Sequence, residues 1–161
     1  MNDPATWLLA LLPALFAVLW CGVLLLIGRM GGWSRLAAAY RHDGRFDGYR
    51  TRFASGELRG PLLGLPCNYG GCLTLGSNPD GLYLAVLPLF RPGHPPLFIP
   101  WQDVTAEVKQ GWLTTSTTFA FRRAPAVRLR VAHRLARRLV ESAGVVRPLD
   151  LDDEQAHATQ L

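Results

Sequence analysis

From Trp7 to Ile27 the chain runs for 21 residues, WLLALLPALFAVLWCGVLLLI, without a charged side chain. As a helix rising about 1.5 Å per residue, this stretch spans roughly 30 Å, the hydrocarbon thickness of a bilayer. It is apolar on every face, which a small domain cannot cover. The pattern predicts a flank over 1–6 and a single transmembrane helix over 7–28. A cleaved signal peptide fits poorly: residues 1–6 carry Asp3 and no Lys or Arg, and Gly28-Arg29-Met30 follows in place of a small-residue cleavage pattern. Pro13 is a candidate kink. Trp7 and Trp33 suit interfacial anchoring, whereas Trp20 lies deeper and is expected to pack on lipid or on another helix. No ionisable group falls inside the run, so no ion path is expected there.

Residues 29–59 read as a juxtamembrane helix and connector. Trp33, Leu36, Ala37 and Tyr40 share one helical face, and packing of that face on the domain is preferred over a place in the lipid interface. His42 to Gly60 is polar and reads as a helical turn and connector. From there the period shortens to two. Strands are predicted at Leu62–Leu65, Cys72–Leu75 after a Gly70-Gly71 turn, Leu82–Leu87, Leu97–Trp101, Val104–Val108, Trp112–Phe121 and Ala126–Val131. In Trp112–Phe121, Leu113, Thr115, Thr117, Phe119 and Phe121 share one face. Val127, Leu129 and Val131 face inward, with Arg128 and Arg130 outward. Ser77-Asn78-Pro79-Asp80-Gly81 is a turn, with Pro setting φ and Gly free to close it. The period then lengthens: Ala132, Leu135, Ala136, Leu139, Val140 and Ala143 form a helical stripe, capped by Gly144. The tail over 147–161 is acidic and reads as disordered.

The expected fold is therefore an N-terminal transmembrane helix followed by a mainly β domain over 60–146. That domain would be a curved antiparallel sheet or partly open barrel, closed by one C-terminal capping helix.

Charge gives direction to this picture. The chain of 161 residues carries 17 Lys and Arg against 12 Asp and Glu, a formal net charge of +5. Arg29, Arg35, Arg41, Arg45 and Arg50 follow the apolar run, and no basic residue precedes it. Positive flanks stay in the cytoplasm, so the N-terminus is expected outside and the domain inside. A basic domain is drawn to an anionic leaflet. Nucleic acid would suit the sign of the charge, but no recognition motif accompanies it, and no nucleic-acid partner is expected. Of the three cysteines, Cys21 lies in the apolar run. Cys67 and Cys72 read as structural thiols, or else as a disulfide across the Gly-Gly turn, which would require a domain outside the cytoplasm.

The order of anchor, short helix, strands and closing helix resembles the pleckstrin-homology-like superfold, including bacterial PH and GRAM-type domains. The stretch DGLYLAVLPLFRPGHPPLFIPWQDV, Asp80 to Val104, is similar to a segment of small, uncharacterised, membrane-anchored bacterial PH-like proteins. The helix Gly32-Trp33…Leu36-Ala37…Tyr40 fits the same group. The likeness implies a bacterial inner membrane location and a binding role. It departs from lipid-binding PH domains in one respect: residues 60–76 contain no basic residue, where those domains carry a basic strand–loop. Specific phosphoinositide binding is thus not expected.

Arg91 and His94 lie in a loop bounded by Pro and Gly, where a fixed His beside an Arg could hold a phosphate or a carboxylate. Trp101 and Asp103 are expected to end a strand, with Asp103 capping a turn, and His133 to lie at the surface. Residues 122–138 hold Arg122, Arg123, Arg128, Arg130, Arg134, Arg137 and Arg138 and no acidic residue. The candidate lipid- or partner-binding residues are Arg91, His94, Arg128, Arg130, Arg134, Arg137 and Arg138. No phosphate loop, metal spacing or nucleophile elbow is present, so neither catalytic residues nor a cofactor or metal is expected. The expected role is a non-catalytic binding module tethered to the membrane, touching a protein partner or the anionic leaflet. The alternative is a structural subunit that joins a membrane complex through its helix.

Overall fold

The structure, a computed structural model, describes residues 4–61, 65–112 and 114–144. Helix α1 runs from Pro4 to Met30 and α2 from Trp33 to Tyr40. Seven strands follow: β1 Tyr49–Arg59, β2 Pro66–Asn78, β3 Gly81–Val86, β4 Leu97–Pro100, β5 Val104–Gln110, β6 Thr115–Phe121 and β7 Arg128–Ala132. Helix α3, His133–Ala143, completes the described chain. Short 3-10 turns at Pro88–Phe90 and Trp101–Asp103 sit on either side of β4.

The strands form one antiparallel sheet in the order β4-β3-β2-β1-β7-β6-β5, curled into a half-barrel. Two meanders, β1–β4 and β5–β7, meet where β1 pairs with β7. Inward side chains of both meanders make one core, including Leu58, Leu73, Leu75, Leu84, Phe119, Phe121 and Leu129. Across it lies α3, whose Ala136, Leu139 and Ala143 are buried and whose Gly144 closes the helix at φ 64. The prediction of a curved sheet closed by one helix therefore holds.

Helix α1 is long and apolar enough to cross a membrane over Leu11–Met30. It continues through Pro13. Trp7, Leu9 and the large side chains from Leu11 to Leu19 are exposed, but the last third of the helix lies against the β domain: Leu24 is buried, and Ile27 packs on the core. The contact depends on small residues. A Cβ on Gly28 would stand 2.9 Å from the Gly93 carbonyl oxygen, and one on Gly60 would stand 2.6 Å from that of Met30. Gly32, at φ 85, then turns the chain from α1 into α2. Trp33 enters the core fully buried and donates its indole N–H to the Pro95 carbonyl at 3.0 Å.

Several sequence expectations change. The polar connector contains β1, the central strand of the sheet, so the sheet begins at Tyr49 rather than at residue 60. Gly70-Gly71 is not a turn: β2 runs straight through it as a bulge, with Gly71 at φ 64. The turn after β2 is closed by the Asn78 side chain, whose Oδ1 accepts from the backbone N–H groups of Asp80 and Gly81. Trp33 is a core residue and not an interfacial anchor, while α2 packs through Trp33, Leu36 and Tyr40 as preferred. Trp20 packs on its own domain, its ring 5.8 Å from that of Phe90. Of the expected Leu62–Leu65 strand, residues 62–64 lie outside the described residues, as do Leu113 and the tail over 147–161.

Candidate functional site

The loop from Leu87 to Pro96 carries two of the expected site residues, and the structure separates them. His94 is only 1% exposed. Its ring lies 5.1 Å from that of Trp33, and the neighbouring α1 residue is Gly28. His94 Nδ1 is 3.0 Å from the Pro92 carbonyl, which can only accept, so Nδ1 carries the proton. Nε2 therefore accepts the Tyr69 hydroxyl hydrogen, also at 3.0 Å. Burial holds the imidazole below its ordinary pKa, against the opposing pull of the Pro92 and Phe90 carbonyls. A neutral, doubly bonded ring under the surface joins α1, α2 and β2. It offers no free nitrogen to a phosphate or a carboxylate, which corrects the reading of His94 as a surface ligand.

Arg91 instead faces a recess of about 220 Å³ on the outer face of the first meander. Arg50, Arg52 and Phe53 of β1 share this recess with Tyr83 and Pro88. The Arg50 guanidinium stacks 5.8 Å over the Phe46 ring, which rests on Tyr83. No carboxylate lines the recess. Phe53 is held at φ 58, a left-handed conformation that costs a non-glycine residue roughly 1–2 kcal/mol, and it is 70% exposed. Sequence reasoning missed Arg50, Arg52 and Phe53 as a group. Only the two arginines at i and i+2 hinted at a strand face.

The remaining candidates divide between two opposite surfaces. Arg128 and Arg130 project from the outer face of β7 into a groove of about 160 Å³ shared with Glu57, Arg59 and Lys109. Arg130 donates to Ser116 Oγ, and Glu57 pairs with Arg59 at 2.9 Å. Arg134, Arg137 and Arg138 lie on the exposed side of α3, which covers the inner face of the sheet; Arg137 pairs with Glu141 at 3.0 Å. The seven-arginine run is therefore not one patch.

Arg122 and Arg123 are structural. Asp103, itself 1% exposed, receives them at 2.6 and 2.9 Å on its two oxygens, approached off line, so the attraction is chiefly coulombic. Asp103 thus does more than cap a turn: it fixes the hairpin end after β6 beneath Tyr40, whose hydroxyl accepts the Arg123 backbone N–H. Trp101 is buried and donates to the Asn78 carbonyl. His133 is half-buried, 3.0 Å from Thr117 Oγ1.

The three cysteines are free thiols, with no Cys67–Cys72 bridge, and burial pushes the Cys67 and Cys72 pKa values up, away from thiolate chemistry. Among the described residues no three His, Cys, Asp or Glu side chains converge on a metal position. No family model matches this chain, and neither a curated protein nor a solved structure matches it.

Proposed function

We propose that this chain is a non-catalytic binding module tethered to the cytoplasmic face of a bacterial inner membrane, with its N-terminus outside. The observation that carries the reading is the state of α1. Its side chains are bare from Leu11 to Leu19, and its last turns are fastened to a basic β domain. A helix bare on all sides calls for an apolar solvent, and the basic residues after it favour the inner leaflet. The seven-strand order and the closing α3 support the pleckstrin-homology-like reading, and with it a role in binding. Arg91 and the β7 arginines are the groups offered to an anionic leaflet or an acidic partner surface.

Alkaline carbonate extraction tests the tether: the full-length chain is expected in the membrane pellet, and release to the supernatant would sink it. Side is tested at Trp112, which is fully exposed in the β5–β6 connection. A Trp112→Cys variant should resist a membrane-impermeant maleimide in intact cells and react after lysis. Ready labelling in intact cells would reverse the orientation.

A further inference from the structure

The side of the domain that climbs α1 has its own apolar tip. Trp20 donates its indole N–H to the Leu89 carbonyl at 3.3 Å, and the Phe90 ring lies against it. Trp20 stands ten residues before Met30, the end of α1, which places it about 15 Å further along the helix axis. Gly93 meets α1 at Leu25, and His94 meets it at Gly28. The loop thus runs beside the helix and does not end at its foot. Directly around that contact, Leu19 is 63% exposed, Val23 43% and Leu26 57%.

What the loop presents there is apolar. Leu89 is 66% exposed, and Phe53, at 70%, shares the neighbouring recess with Pro88 and Arg91. Phe53 keeps its uncovered ring at a strained backbone position, φ 58, that glycine would occupy at no steric cost. Arg52 and Arg91 stand in the same recess, and among the described residues neither is paired with a carboxylate. Two bare apolar side chains rimmed by guanidinium groups, beside a bare apolar helix, form the pattern of a surface that sits in a bilayer interface.

We propose that Leu89 and Phe53, with Arg52 and Arg91, form a second membrane contact of this chain. The two apolar side chains enter the acyl edge of an anionic leaflet, and the two guanidinium groups bind its lipid phosphates. This rests on the tethered reading and adds to it: the domain does not hang from α1 into the cytoplasm but lies partly in the leaflet. Trp20 is then an interfacial residue, and the bilayer is centred nearer the N-terminal two thirds of α1.

The full-length chain in phosphatidylcholine vesicles with phosphatidylglycerol tests this, using a nitroxide amino acid inserted by nonsense suppression at Leu15, Phe53, Leu89 or Trp112. Collision with oxygen reports lipid, and collision with a water-soluble nickel chelate reports water. The proposal expects lipid at Leu15, Leu89 and Phe53, and water at Trp112. Lipid at Leu15 with water at both Leu89 and Phe53 overturns the second contact and leaves the tether standing. Water at Leu15 overturns both. The phosphate part is read with R52Q and R91Q, each exposed and free to change without loss of the fold. Each should weaken the immersed state of the Leu89 label by about fivefold in the anionic vesicles, with little change in pure phosphatidylcholine. Equal effects in both lipids would remove the role of the arginines.

Discussion

His94 and Asp103 show two ways in which a polar residue belongs to the inside of this molecule. His94 is buried neutral, and burial holds its folded pKa below the ordinary 6.5. The unfolded chain therefore takes up the proton first as pH falls, and stability falls with it. The contribution is complete above about pH 6.5 and is lost progressively below it, toward the depressed folded value. Its neighbours do not blur this: burial raises Tyr69, Cys67 and Cys72, so they stay protonated throughout. Thermal melts from about pH 8 to pH 5 should show this slope in the native chain and a flatter profile in His94→Asn. That variant should also lose about 2 kcal/mol near neutrality. Asp103 is buried charged, and its partners Arg122 and Arg123 are more than half exposed. The two sides are therefore unequal. Replacing both arginines by Gln strands a buried carboxylate and should cost about 3 kcal/mol. Asp103→Asn leaves only solvated guanidinium groups and should cost about 1 kcal/mol by urea titration. Neither residue was legible in sequence. A histidine between Pro and Gly reads as exposed, and it is the distant Gly28, Trp33 and Tyr69 that cover it.

At the scale of elements, periodicity was a good guide wherever it was unbroken. Thr117, Phe119 and Phe121 of β6, Leu129 and Val131 of β7, and Ala136, Leu139 and Ala143 of α3 are buried as their spacing implies, whereas Leu135 and Val140 are half-buried and Ala132, at the end of β7, is exposed. β1 escaped because its parity changes midway. Arg50 pairs with Gly76 and Thr51 with Leu75, but the register shifts before Ala54 meets Leu73 and again before Gly56 meets Tyr69. The first shift places an extra residue in β1 and turns an alternating strand into a sequence that reads as polar coil. The second places its extra residues in β2 at Gly71, which bonds Ser55 Oγ through its backbone N–H. An added Cβ at Gly71 meets nothing within 4 Å, so Gly71→Ala should cost only the left-handed backbone penalty, about 1 kcal/mol, read as a lower urea midpoint with an unchanged slope. The same substitution at Gly60, where a Cβ would lie 2.6 Å from the Met30 carbonyl, should cost several times more and loosen α1.

The whole molecule was readable in outline: an apolar helix, then a curved sheet, then a closing helix. Its site was readable only in part. The run from Arg122 to Arg138 looks continuous along the chain, but a strand and a helix on opposite sides of a sheet scatter it. Arg91 is far in sequence from Arg50 and Arg52 and lies with them because β1 and the loop after β3 flank the same outer face. Such convergence is long-range and leaves no local pattern.

The joint at Gly28, Gly32 and Gly60 has a mechanical consequence. A helix gripped along its last ten residues cannot lean without carrying the sheet with it. On the tethered reading, α1 becomes a lever whose angle depends on bilayer thickness, because an apolar helix longer than the hydrocarbon core relieves the mismatch by tilting. The apolar run of α1, 21 residues or about 30 Å, matches that core and exceeds it in a thinner bilayer. Thinner lipids should therefore tip the half-barrel toward the leaflet, and thicker lipids should stand it upright. Distances from a label at Trp112 to the membrane surface, measured by energy transfer in short- and long-chain vesicles, should change steadily with acyl length. A Gly28→Leu variant, with the grip pried open, should lose that dependence.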